Sequence, residues 1–170
     1  LRYEYRITKY DPRWRNADGH YTKDEWTSFA EVGKSVGGQR LTMAEYLAVE
    51  EKYLTVLHAL LREAGVKDLE LKDFENRKAP RLRFRSPMTL ARALAFARLA
   101  LREKVWGKLI ASRRAYVHFG WDYYLYVGLS RRTPLAIQTA RSLALFVEPL
   151  RSPYLKRVRR RKQVERRAAP

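Results

Sequence analysis

The sequence predicts an α+β domain, a largely antiparallel sheet with two long helices and one short helix packed on it, followed by a disordered basic tail. Three observations carry this. Residues 1–9 alternate apolar and polar, residues 42–65 repeat their apolar side chains at helical spacing, and residues 105–127 hold three short strand-like runs separated by turns.

In chain order, Leu1, Tyr3, Tyr5 and Ile7 point one way and Arg2, Glu4, Arg6 and Thr8 the other, the pattern of a half-buried strand. Asp11-Pro12 and Asn16-Ala17-Asp18-Gly19 mark a long turn. Tyr21–Val32 gives mixed signals and is expected to form an ordered loop with short strand character. Gly33, Gly37 and Gly38 close it, as a mobile loop before the next helix. Thr42-Met43-Ala44-Glu45 is a capping box, because hydroxyl and carboxylate can each satisfy an orphan backbone N–H, and Gly65 is a natural C-terminal stop. Val66–Phe74 alternates again, with one irregularity. After a basic connector (76–85), Ser86-Pro87 suits the start of a second helix reaching about Glu103. Val105–Ala111, Ala115–Phe119 and Tyr123–Val127 are the three strands, the last two joined through Gly120-Trp121-Asp122. Thr133-Pro134 opens a short helix to about Ala144, and Leu145–Glu148 is a last strand before Ser152-Pro153-Tyr154 leaves the domain. The expected organisation is one domain (1–155) and a basic tail (156–170).

Composition bounds function. The 170 residues include no cysteine, which removes disulfides, thiol chemistry and thiolate metal sites. No apolar run reaches bilayer length and the N-terminal stretch lacks a signal-peptide core, so a cytoplasmic protein is expected. Lys+Arg 36 against Asp+Glu 18 gives a net charge of +18. Residues 156–170 hold eight cations against Glu165, so seven of those charges sit in the tail and eleven in the remaining chain.

Chemistry-bearing motifs are sparse. The three histidines, His20, His58 and His118, show no metal-ligand spacing, and no metal or cofactor is expected. His118 with Asp122 across a tight turn could pair a base with its orienting carboxylate; alternatively His118 packs within a tyrosine-rich sheet. A ribonuclease centred on His58 or His118 lacks a second histidine. The glycines of GKSVGG (33–38) do not follow the order of a phosphate-wrapping loop, and no catalytic residue is assigned. Asp24-Glu25-Trp26 is a stronger candidate for partner contact, since tryptophan beside carboxylates on a loop suits recognition, although Trp26 could equally plug the core edge. Tyr124 and Tyr126 share a strand face opposite Tyr123, so one of the two faces can be an exposed aromatic patch. In the tail, Arg157, Arg159, Arg160, Arg161 and Lys162 would bind nucleic acid nonspecifically through phosphates, dock on an acidic protein, or stay solvated.

Five ordered blocks, YRITKYDP (5–12), DEWTSFAEVG (24–33), LTMAEYLAVEEKY (41–53), VHFGWDYYLYVG (117–128) and LFVEPLRSPYL (145–155), resemble small bacterial immunity proteins of polymorphic toxin and contact-dependent inhibition systems. The resemblance implies a non-enzymatic protein that binds a cognate toxin domain. Its contact residues would be Asp24, Glu25 and Trp26 with His118, Trp121, Asp122 and Tyr124. The charge departs from the pattern, because inhibitors of nucleases are usually acidic and a basic body opposes docking on a basic surface. A nucleic-acid-associated accessory protein is the alternative.

Overall fold

The computed structural model describes residues 1–76 and 84–155. The predicted tail (156–170) and the middle of the basic connector lie outside the described residues. The elements are β1 (Tyr3–Thr8), β2 (Ser35–Val36), β3 (Gln39–Arg40), α1 (Met43–Glu63), β4 (Asp68–Asn76), β5 (Met88–Thr89), α2 (Leu90–Leu101), β6 (Val105–Ala111), β7 (Ala115–Phe119), β8 (Leu125–Leu129), α3 (Pro134–Ser142) and β9 (Phe146–Pro149). Seven strands form one antiparallel sheet in the order β5-β4-β6-β7-β8-β1-β9, while β2 and β3 pair separately. The fold is therefore the α+β class expected.

Register divides the sheet into two faces. Ile7 lies opposite Leu125, Val127 opposite Val117, and Val117 opposite Leu109, so these side chains share one face. They join Tyr53, Leu57 and Leu60 of α1, Phe96 and Ala97 of α2, and Ala140 of α3 in a single core. Each fully buried leucine or aromatic there contributes about 1.5–3 kcal/mol. Gly107 on β6 makes room for this packing, because a Cβ would stand 2.8 Å from Leu71 Cδ1 and 3.2 Å from Phe96 Cζ. The opposite face carries Glu4, Arg6, Tyr126, Tyr116, His118, Trp106 and Lys108 by the same alternation. β7 and β8 are buried along their whole length, so this second face is covered as well. The pattern of one exposed aromatic face does not hold: Tyr123 is 4% and Tyr126 7% exposed. The cover is the segment that was expected to leave the domain, which folds back so that Ser152 is buried and Tyr154 packs on Tyr126, Trp106 and His118.

Local chemistry sets the element ends. Thr42 and Glu45 form the expected capping box, and Gly65 (φ 71°) ends α1 with Val66 N–H reaching Leu61 O. α2 starts later than Ser86-Pro87 suggests. Ser86 Oγ instead accepts from Leu71 N–H, Met88–Thr89 pairs with β4, and Thr89 caps the helix by accepting from Arg92 N–H. Any hydroxyl at the right φ/ψ can cap, and the strand contact selects Thr89. The glycines of 33–38 are likewise not a mobile loop. Gly37 and Gly38, both at positive φ, turn the β2–β3 hairpin, and Gly37 N–H donates to Asp24 at 2.9 Å.

Candidate partner-binding face

β1 and β8 are antiparallel, so the chain leaves β1 at the sheet end where it enters β8. This brings the loop after β1 (residues 9–28) against the β7–β8 turn, two segments about a hundred residues apart in sequence. Turn geometry does the rest. Asp122 (φ 54°) and Tyr123 (φ 62°) both occupy the left-handed region, and Tyr124 N–H closes the turn on Trp121 O at 3.2 Å, as in a type I′ turn. Such positions ordinarily call for Asn-Gly, and non-glycine residues there carry strain. Tyr123 offsets it by burial: its hydroxyl donates to Tyr46 OH at 3.0 Å, and its ring meets Trp26, Tyr46 and Tyr53 edge-on at 5.0–5.8 Å. Tyr123 acts as an anchor, and the turn beyond it displays Trp121, which is 66% exposed.

Two hollows are lined by residues of this turn and another lies along the Asp24–Trp26 loop. The largest, about 400 Å³, lies between the turn and the loop and is lined by Arg6, Arg15, Lys23, Glu25, Asp122 and Tyr124 among others. In it Tyr124 is held on several sides, with Arg15 Nη1 donating to its hydroxyl at 3.1 Å and the Arg6 guanidinium 4.7 Å from its ring centre. Both arginines also pair with Glu148 of β9. A second hollow, about 220 Å³, runs from Asp24, Glu25 and Trp26 to Arg40 and Val49. The third, about 150 Å³, lies on the other side of Trp121 beside Trp106 and Tyr154.

Glu25 is the electrostatic centre of the loop. It accepts from the Tyr21 hydroxyl and pairs with Lys9 Nζ at 3.1 Å. Burial alone would raise its carboxyl; the Tyr21 and Lys9 hydrogen bonds and the charges of Lys9 and Lys23 outweigh that and hold it below the usual carboxylate range. Lys9 is pushed the other way: burial lowers its ammonium despite Glu25, and Nζ sits 4.1 Å from the Tyr10 ring centre and 4.4 Å from that of Trp26.

Of the sequence candidates, Glu25, Asp122 and Tyr124 share the large cleft, and Trp121 lines the smallest of the three hollows. Asp24 and Trp26 line the neighbouring hollow, where Trp26 is also packed on Tyr46 and Tyr123. His118 is not part of this face. It is 1% exposed, stacked on Tyr116, and its Nδ1 lies 2.7 Å from Ser152 Oγ rather than near Asp122. Nδ1 and Ser152 Oγ share a hydrogen bond, Ser152 Oγ also accepts from Tyr154 N–H, and Nε2 has no partner among the described residues. Burial, then the Lys108 charge, pushes the imidazole down to about 4. The result is an enclosed neutral ring that anchors residues 152–154, not a base and carboxylate brought together. Sequence reasoning missed Arg6, Arg15, Trp106 and Tyr154; the one available signal was Arg6, on the polar side of an alternating strand that turns out to be covered.

No group of His, Asp and Glu among the described residues is arranged to hold a metal ion, and none of their helices is long and apolar enough to cross a membrane. Comparison with protein-family models, with curated proteins and with solved structures finds no match for this chain.

Proposed function

We propose that this chain is a non-enzymatic binding protein of the toxin-neutralising immunity type, acting in the cytoplasm by covering a cognate toxin domain with the sheet end formed by residues 9–28 and 120–124. The observation that carries this reading is the convergence of the DEWTS loop and the HFGWDYY turn at one end of the sheet, with Asp122 and Tyr124 lining the cleft between them and Trp121 exposed at the tip. An exposed tryptophan beside a hollow fits the anchor of a protein interface. Strain at Asp122 and Tyr123 supports it further, since strained turns that display a side chain gather where function requires them. Nonspecific binding of RNA or DNA suits this face less well, because Glu25 and Asp122 stand among its cations and would repel phosphates.

The test is co-expression with the product of the adjacent reading frame. A stable complex is expected, with Trp121→Ala and Asp122→Lys each lowering affinity by about tenfold or more. The reading fails if no toxin-like domain is encoded there and no complex forms, or if both variants bind as the parent does. Steeply salt-dependent binding to random RNA, untouched by these substitutions, would favour the nucleic-acid alternative.

A further inference from the structure

The end of the sheet opposite the β7–β8 turn has a chemistry of its own. Register aligns Ala111, Ala115, Leu129 and Tyr3 in one row across β6, β7, β8 and β1, a front about 14 Å wide at the usual strand spacing. Just beyond that row the chain carries Ser112-Arg113-Arg114 between β6 and β7, Ser130-Arg131-Arg132 after β8, and Arg2 before β1. The two arginine pairs are neighbours, because Ser130 N–H donates to Arg114 O at 2.9 Å. All five arginines are exposed. Arg113 takes the left-handed conformation (φ 56°) that favours glycine or asparagine, so the β6–β7 turn holds an arginine at its tip against backbone preference.

None of the five is paired with a carboxylate among the described residues, whereas Arg6 and Arg15 share Glu148, and Arg98 and Arg102 share Glu50. Arg114 Nη1 instead donates to Gly65 O at 3.5 Å and Arg132 Nε to the Tyr3 hydroxyl at 3.3 Å. Arg2 and Arg132 also stand 5.7 and 5.9 Å from the Tyr3 ring centre. The carboxylates at this end are engaged elsewhere or offset. Glu4 accepts from Tyr116 and pairs with Arg151, Glu63 accepts from the first turn of α3, and Asp68 follows Lys67. Two aliphatic side chains flank the arginines. Leu135, in the first turn of α3, is 69% exposed, and Leu150, whose N–H donates to Glu4 O, is 40% exposed.

We propose that this end of the sheet docks on an anionic lipid bilayer, with the guanidinium groups on lipid phosphates and Leu135 and Leu150 entering the headgroup region. Charge complementarity carries the assignment. A cluster of unpaired arginines is drawn to a leaflet rich in acidic lipids, the planar guanidinium fork matches phosphate, and bordering aliphatic side chains add apolar burial. Nucleic acid offers the same phosphates, but this surface offers little to the rest of it. The Tyr3 ring is already engaged by two arginines, three-residue turns are too short to enter a groove, and leucines have no counterpart on a phosphodiester backbone. The protein lies on the bilayer and does not cross it. The row of Ile7 and Leu125 at the partner-binding end is about 13 Å farther along the strands, so that face points away from the lipid. The lipid surface and the toxin-binding face are independent, and neither reading rests on the other.

The experiment sediments the full chain with vesicles of phosphatidylcholine alone and of phosphatidylcholine mixed equally with phosphatidylserine. Because residues 156–170 are basic too, two folded variants each lose four charges: one replaces Arg113, Arg114, Arg131 and Arg132 by Gln, the other Arg157, Arg159, Arg160 and Arg161. The parent is expected to bind the acidic vesicles only, and the first variant to bind them about a hundredfold more weakly, a larger loss than the second variant shows. Leu135→Ser with Leu150→Ser, which leaves the charge unchanged, should weaken binding about tenfold. Equal or greater loss in the tail variant overturns the proposal, as does an unaltered affinity in the leucine variant, since either would leave charge alone as the cause. Binding to neutral vesicles overturns it as well. Tighter binding to random RNA than to acidic vesicles, lost with the same four arginines of the turns, would make this a nucleic-acid surface instead.

Discussion

Arg102 closes on Glu50 with two parallel hydrogen bonds, Nε to Oε2 at 2.6 Å and Nη2 to Oε1 at 2.7 Å, and so clamps the end of α2 to the middle of α1. Glu50 is completely buried, and Arg98 supplies a third bond at 2.8 Å. A buried carboxylate tolerates its position only while paired, because the desolvation penalty remains when a partner is removed. Arg102→Ala is therefore expected to cost about 3 kcal/mol in chemical denaturation, while the double variant Glu50→Leu/Arg102→Met recovers most of that loss. A cost for Arg102→Ala comparable to that of a surface ion pair would contradict the clamp.

The C-terminus of α2 predicts a gain. Replacing Glu103 by glycine removes both the left-handed strain and the carboxylate facing the helix dipole, and should stabilise the fold by about 1 kcal/mol. The corresponding Gly65→Ala change after α1 should destabilise by a similar amount, since Gly65 already satisfies the same geometry. Thermal unfolding of the two variants side by side checks the sign of each.

Much of the fold was legible because local rules decided it. Val105–Ala111 and Ala115–Phe119 form strands over the bounds read from the sequence, and the Thr42–Glu45 box and Gly65 bounded α1. What escaped is non-local. Glu50 occupies a place in the buried stripe of α1 between Tyr46 and Tyr53, while Leu47, apolar and nearby, is 39% exposed. Only the arginines of α2, about fifty residues on, make that arrangement tolerable. The first turn of α3 is capped the same way, by Glu63 of α1, which accepts from Ala136 N–H at 2.7 Å. At the candidate site the structure brings the two proposed contact segments together, whereas His118, grouped with them by sequence proximity, lies apart on Ser152. A side chain one register step from a turn can lie under either face, and the returning segment 150–155 that buries it carries no periodic signal.

Gly128 in β8 makes that covered face possible. The ring of Tyr116 lies across its backbone, and a Cβ there would stand 2.1 Å from Tyr116 Cε1. Gly128→Ala must push the ring aside and with it the Tyr116 hydroxyl, which donates to Glu4 at 2.9 Å and accepts from Ser152 N–H at 3.4 Å. A loss of about 2–3 kcal/mol is expected, with earlier amide exchange in residues 150–155 than in the helix-facing core. A neutral substitution would show that the ring moves freely.

His118 links the same segment to pH. Its imidazole is held down to about 4 by burial and by Lys108, against an unfolded value of about 6.5. Protonation is thus favoured in the unfolded chain, so the stability contributed by the neutral ring is fully present above about pH 6.5 and drains away as pH falls toward 4. The total is of order 3 kcal/mol, of which about 2 kcal/mol is gone by pH 5. His118→Phe keeps the stack on Tyr116 and removes the titration, so its stability should fall less between pH 7 and 5 than that of the parent, although it starts lower for want of the Ser152 bond. Carboxylates held below their usual range, Glu25 and Glu31 among them, lose their contribution only at more acid pH and do so in both proteins. The difference between the two pH profiles therefore isolates the histidine, and parallel profiles would mean that the buried ring is not what acid attacks.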